Sequence, residues 1–248
     1  MVFKYDEELK GTDHNHLVLS VKRSLHRRDD PASQHADQAF ASVRNQAIKQ
    51  GQEQCFHCSI KMKKWLDVHH QDDNHNNNDL TNLVPVCKQC HGCHHLGLAS
   101  LSTANQYNGG FLVYLPEINQ VTLNILTRMF YIFEIKQEKN DREFRLQLAN
   151  FLDERRKLLI KHTHTHFTAI SYANALLQCS DEDYHNRNNL SFLKFVMTPS
   201  SFMAKIGTPQ DKYSNIYQYW AMNYQKPYDE AKEIADKALS DILKQASD

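Results

Sequence analysis

The 248-residue chain has no excess of either charge sign, with 29 Lys and Arg against 29 Asp and Glu. A generic DNA binder is usually basic, so this balance argues against broad electrostatic attachment to DNA. Local basic runs remain at Lys22, Arg23, Arg27 and Arg28, and at Lys61, Lys63 and Lys64; such runs read as solvated faces. Long apolar runs are also lacking. A bilayer span needs roughly 20 apolar residues, and the longest apolar region here, 123–135, is broken by Asn124, Thr127, Arg128 and Glu134. The first residues, Met1 to Glu8, contain no apolar core of the signal-peptide kind, so a cytoplasmic protein is expected. There is no internal repeat, and no low-complexity segment apart from an Asn/His-rich stretch at 72–79.

Cysteine is scarce overall and concentrated in one place. Of six cysteines, five fall between positions 55 and 93. That clustering reads as metal ligation in a reducing compartment rather than as a disulfide framework. Cys179 stands alone and reads as a small buried apolar residue.

The periodicity predicts an α+β protein dominated by helix, with a small β-rich metal module embedded in it. Leu17–Val21 reads as a short strand, and Asp30-Pro31 opens a helix that Gly51 ends. The metal module is expected over 54–105, with an extended arm at 64–70 and turn chemistry at 72–79. Gly109-Gly110 leads into a strand over Phe111–Leu115. After Pro116, Ile118, Val121, Leu126, Met129, Phe130 and Phe133 fall near helical spacing. Further helices are expected at 144–160, 169–177, 190–196, 213–224 and 228–244. The chain therefore divides into an N-terminal strand and helix (1–53), the metal module (54–105) and a helical region packed on it (106–248).

The chemistry lies in the module. Cys55 and Cys58 form one Cys-x-x-Cys pair and Cys87 and Cys90 a second, with 28 residues between Cys58 and Cys87. Two such pairs can enclose one Zn²⁺ in a tetrahedral sulfur shell, and the gap leaves room for a hairpin. Cys93 is a competitor with poorer spacing. Because the shell closes a long loop, folding is expected to depend on the metal. Between the pairs lie His69, His70 and Asn82, and His91 follows Cys90 directly. In a one-metal phosphodiesterase a neutral imidazole takes a proton from water while a divalent cation stabilises the leaving oxyanion. Here His70 is the candidate base. His69 and His91, with His95 or His94, are candidate ligands for a cation such as Mg²⁺, and Asn82 is the candidate brace for the histidine-bearing loop. His91 and His95 are four apart, so a helix beginning at Cys90 places them on one face. His75 reads as an exposed loop residue.

Two features outside the module invite simpler readings. His162, His164 and His166 alternate with threonines and would share a face in a strand, but a surface segment at a helix end suits them better. Tyr213, Tyr217, Trp220 and Tyr224, in a run that also holds Tyr219 and Tyr228, fall on one helical face, read first as core and second as a partner surface.

The motif Val68-His69-His70-x-Asp72-x-Asn74, Asn82-Leu83 and Cys87-x-x-Cys90-His91 resembles the HNH endonuclease superfamily. The likeness covers about 54–96 and implies a ββα-metal fold, with His70 as general base, His69 and His91 as metal ligands and Asn82 as the middle Asn. A second resemblance reaches further. The segment from Gly109 to Asn124 is similar to the one that follows the zinc module in the IcmJ (DotN) family of type IVB secretion and related conjugation systems. That resemblance implies a zinc-stabilised assembly subunit, which joins a DotL-type coupling ATPase and other coupling-complex subunits at the cytoplasmic face of the inner membrane. The secretion members of that family can lack the nuclease histidines, whereas His69, His70, Asn82 and His91 are all present here. An active metal-dependent endonuclease acting on DNA is therefore the alternative expectation.

Overall fold

A computed structural model gives the fold and describes residues 17–23, 31–62, 64–100, 109–136, 141–163, 167–198, 216–217, 220–222 and 227–245. Among these, the chain is mixed α and β, mostly helical, with two small antiparallel sheets. In order, the elements are α1 (Pro31–Gln50), β1 (Leu66–His70), β2 (Leu83–Cys87), α2 (Lys88–His94), α3 (Leu96–Ala99), β3 (Gly110–Tyr114), α4 (Gln120–Lys136), α5 (Arg142–Thr163), α6 (Ala169–Gln178), α7 (Asp181–His185), β4 (Leu193–Met197) and α8 (Pro227–Gln245). Arg27, Arg28, Lys63, His164, His166, Tyr213, Tyr219, Tyr224 and the side chain of Tyr228 lie outside the described residues. No helix among those described is long and apolar enough to cross a membrane.

The first sheet pairs β1 with β2 in the register Leu66↔Cys87, Val68↔Pro85 and His70↔Leu83. Period-two alternation sends Leu66, Val68 and His70 to one face and Asp67 and His69 to the other. The face with Val68 joins Ala47 and Leu83 in a small apolar cluster, packed over by Phe40 and Val43 of α1. The opposite face meets α2, which starts as soon as β2 ends. A larger core gathers the remaining elements around α4, whose Leu123, Ile132 and Phe133 are wholly inaccessible.

Helix α4 is unusual in burying polar residues as well: Gln120, Asn124, Thr127 and Arg128 are each at most 3% exposed. Buried polar groups persist only where hydrogen-bonded, and each of these has a partner. Gln120 serves the second sheet, where its Nε2 donates to the Phe195 carbonyl and its Oε1 accepts from the Phe195 amide, both at 2.8 Å. A side-chain amide thereby occupies positions on β4 that a further strand would otherwise take.

Two expectations change here. Leu17–Val21 is buried but forms no strand. Its backbone instead fills the break between α2 and α3, with the Ser20 amide donating to the Cys93 carbonyl at 2.9 Å and the Leu96 amide donating to the Ser20 carbonyl at 3.0 Å. The expected helix over 190–196 is the strand β4, paired with β3 through Leu112↔Phe195. All five of its residues are buried, and a short run buried on both faces has no periodicity that separates strand from helix. Of the aromatic run, Tyr217 and Trp220 are core residues, at 3% and 0% exposure. Trp220 donates its indole N–H to the Met62 sulfur.

Candidate metal centre

The four cysteines of the two pairs arrive from three local structures. Cys55 and Cys58 sit on a tight turn, closed by the Ser59 amide donating to the Cys55 carbonyl at 2.9 Å, with Ser59 itself left-handed at φ 53°. The Phe56 amide ties this turn to the Pro85 carbonyl of β2 at 2.8 Å. Cys87 ends β2 and caps α2, its sulfur accepting from the Cys90 amide at 3.4 Å. Cys90 lies in the first turn of that helix. All four are buried, and their sulfurs lie within 4.8 Å of one another. A tetrahedral zinc with Zn–S bonds of about 2.3 Å requires sulfurs about 3.8 Å apart, and Cys58 Sγ and Cys87 Sγ are 3.7 Å apart. The quartet therefore fits a metal ion such as zinc. Cys93 stands outside it, with its thiol pushed up to about 12 by burial.

Four thiolates around a divalent cation leave two negative charges in the interior. Arg128 of α4 faces them, its Nη2 3.0 Å from Cys58 Sγ and 3.6 Å from Cys87 Sγ. The guanidinium also lies over the Trp220 ring, 5.1 Å from its centroid, and Nε donates to Gln89 Oε1 at 3.4 Å. One turn earlier Asn124 Nδ2 reaches Cys90 Sγ at 3.5 Å and Cys93 Sγ at 3.7 Å. Burial raises the Cys58 thiol, yet bonding to the other three sulfurs and the Arg128 charge outweigh it and hold Cys58 well below the usual thiol range. Burial, with the Cys58 and Cys87 contacts, pushes Cys55 well above that range.

A second group lies on the β1 face turned toward α2. His69, His91 and His95 bring one ring nitrogen each within 4.8 Å of one another, and the Nε2 atoms of His91 and His95 are 3.1 Å apart. Metal–nitrogen bonds of about 2.0–2.1 Å put ligand nitrogens roughly 3.0–3.4 Å apart, so this group also fits a cation. His91 lies within α2, while His95 is its C-cap. Asp67 Oδ2 accepts from His91 Nδ1 at 2.9 Å, and Lys88 Nζ pairs with the other carboxylate oxygen. A carboxylate on Nδ1 fixes the tautomer and leaves the Nε2 lone pair for a metal. Burial would raise Asp67, but His91 and Lys88 hold it below the usual carboxylate range. Burial, then the neighbouring His91, lowers His69 to about 3 and His95 to about 2. These rings are thus neutral, as ligation requires.

His94 points elsewhere in the same cluster, stacked on His69 at 3.9 Å with its Nε2 2.9 Å from His57 Nε2. His70 leaves β1 on the opposite face from His69. Its Nε2 meets Asn78 Oδ1 at 3.1 Å, its ring lies 5.2 Å from Phe40, and it is 4% exposed. His75, expected to be an exposed loop residue, is half-buried and stacks on His70 at 4.7 Å. Asn82 spans the hairpin loop: its Oδ1 accepts from the Asp72 amide at 3.0 Å, and its Nδ2 donates to Asp72 Oδ1 at 2.8 Å and to the Asn77 carbonyl at 2.9 Å.

Motif reasoning misses Asp67, His57, Gln89, Asn124 and Arg128. Asp67 had a usable signal, since it lies two residues before His69 and shares its face in any strand. So had α4, where Gln120, Asn124 and Arg128 recur every fourth residue.

No family model matches this sequence. Among curated proteins, the chain is 30% identical over 95 residues to the Type 4 apparatus protein DotN of Legionella pneumophila. The match takes in 38% of this chain and 43% of that protein, so the chain spans less than half of its relative's length and is similar to it in part.

Proposed function

We propose that this chain is a zinc-stabilised subunit of a type IVB secretion or conjugation apparatus. The observation that carries this reading is its 30% identity over 95 residues to the Type 4 apparatus protein DotN. The buried cysteine quartet supports it, because a metal clamp on the Cys55–Ser59 turn, β2 and α2 gives a rigid platform independent of any catalytic role. In this reading residues 54–105 form an HNH-like ββα-metal module, set between residues 1–53 and the helical region 106–248. The platform docks on a DotL-type coupling ATPase with its companion subunits, and reaches the cytoplasmic face of the inner membrane through them. Zinc, when bound, supplies the metal–thiolate bonds that close the long loop between the cysteine pairs. The test is co-expression with the coupling ATPase from the same organism, followed by size-exclusion chromatography. Co-elution with the ATPase, and with its isolated C-terminal tail, is expected. Failure of the zinc-loaded chain to bind either one refutes the assignment.

The grouping of His69, His91 and His95 favours a second reading, that of a metal-dependent endonuclease. A divalent cation there would stabilise charge on a phosphate undergoing cleavage. In this reading His70 takes a proton from the attacking water once its Nε2 leaves Asn78, and Asn82 holds the loop that carries it. Nicking of supercoiled plasmid with Mg²⁺, Mn²⁺ or Ni²⁺, and its loss in His70→Ala at equal zinc content, is the expected pattern. Equal cleavage by both proteins refutes His70 as the base, and cleavage by neither removes the nuclease.

A further inference from the structure

A cleft of about 240 Å³ opens between the buried N-terminal segment, the turn that leads into α4, and the start of β4. None of the seven candidate metal ligands lines it. Three charged side chains do: Glu117, Arg187 and Lys194. Each carries polar capacity that the fold leaves unanswered. Glu117 gives Oε1 to Arg155, while its Oε2 is buried with no hydrogen-bond partner. Arg187 donates from Nη1 to the Tyr184 carbonyl at 2.7 Å and lies over the Tyr184 ring, but its Nε is buried without an acceptor. Lys194 is 4% exposed, and its ammonium, with three N–H groups to place, bonds the Ser191 carbonyl.

Buried groups without partners are rare in native folds and call for a missing partner. Here the unmet needs are of opposite sign. Lys194 and Arg187 seek an acceptor, and Glu117 seeks a donor. A simple anion would face the Glu117 carboxylate, and a simple cation would face two cationic side chains. A ligand bearing both charges satisfies all three groups. The N-terminus of α4 opens on the same cleft at Asn119 and Gln120, which adds positive potential for an acceptor. Leu17 and Leu193 supply an apolar wall. The volume lies below the roughly 300–1,000 Å³ of pockets for drug-sized ligands, which restricts the occupant to a small molecule.

We propose that this cleft binds a free α-amino acid, its carboxylate held by Lys194 and Arg187 and its ammonium by Glu117. Burial lowers the Lys194 amine to about 8, against the pull of Glu117, so near neutral pH it is still mostly an ammonium able to meet a carboxylate. The assignment stands apart from the secretion reading and survives its failure.

Isothermal calorimetry of the full zinc-loaded chain against the twenty L-amino acids tests it, followed by the C-terminal amide, the N-acetyl form and a tripeptide ending in the same residue for any acid that binds. At least one amino acid with an apolar side chain is expected to bind. Its amide, its N-acetyl form and the tripeptide are each expected to bind at least about tenfold more weakly, the ordinary cost of removing one partner of a buried charge pair. Glu117→Gln is expected to weaken binding of the parent acid to a similar degree, with circular dichroism and zinc content unchanged. Absence of binding up to about 10 mM, well beyond a millimolar Kd, overturns the proposal. So does a tripeptide or an amide that binds as tightly as the free acid.

Discussion

Arg128 offers the sharpest test of how the interior would hold a metal at the cysteine quartet. Arg128 is 3% exposed, and its guanidinium touches two of the four sulfurs, at 3.0 and 3.6 Å. Removing one partner of a buried charge pair costs about 3–5 kcal/mol, because the other charge stays behind without compensation. Arg128→Met keeps most of the volume over the Trp220 ring and removes the charge, so packing loss adds little. For a chain of this length a destabilisation of 1 kcal/mol lowers Tm by roughly 2–4 °C, which places the expected drop at about 6–20 °C. Metal affinity should fall as well, since loss of an outer-shell partner typically weakens binding by about 10–100-fold. Arg128→Lys should fall between the two, retaining the charge without the planar fork. Thermal denaturation followed by circular dichroism gives the first quantity, and competition with a chromophoric chelator gives the second. An Arg128→Met protein with Tm within about 2 °C of wild type and unchanged chelator competition would show that the guanidinium does not offset the thiolate charge.

Cys90→Ser should lose its metal on elemental analysis and, with the loop between the pairs no longer clamped, lose the cooperative thermal transition; a fully metal-loaded, cooperatively folding variant would contradict the four-sulfur site. Asp67→Asn should weaken cation binding at His69, His91 and His95 by about 10–100-fold while the cysteine site keeps its zinc, as titration of zinc-loaded protein with Ni²⁺ or Co²⁺ would report. Lys194 predicts a pH dependence. Its amine is lowered in the fold to about 8 from 10.5, so between those values the unfolded chain binds more protons and stability rises with pH. The rise amounts to about 3 kcal/mol at most and should vanish in Lys194→Met, with the two proteins compared by urea unfolding at each pH. The comparison cancels the opposite trend from Tyr131 and Tyr217, both raised by burial.

The cysteine quartet is legible in sequence because its spacing is itself the chemistry: a two-residue chelate repeated across a hairpin-sized gap admits few other uses. Helices α1, α4, α5, α6 and α8 are legible because each carries a long apolar period. Strand β4 is not, since Leu193–Met197 is buried on both faces and becomes a strand through its pairing with β3, 79 to 87 positions earlier in the register Leu112↔Phe195 and its neighbours. The histidines show the same division. Adjacent residues on a strand must part, so the sequence places His69 and His70 on opposite faces as soon as β1 is recognised. Which face meets α2 and which meets Phe40 is fixed by tertiary contacts alone.

Helix α4 shows why local pattern and buried chemistry separate. In sequence, Asn124, Thr127 and Arg128 interrupt an apolar run and so exclude a membrane span. In the fold the same residues are buried and point at Gln89 and at sulfurs that lie 31 to 70 positions away in the chain. A polar residue inside an apolar helix is costly unless it finds a partner, and periodicity carries no information about partners so remote. The cost itself is visible, however. Gln120, Asn124 and Arg128, spaced by four on an otherwise apolar helix, announce a polar stripe that must be answered from within the core. Here β4 answers it at one end and the cysteine cluster at the other.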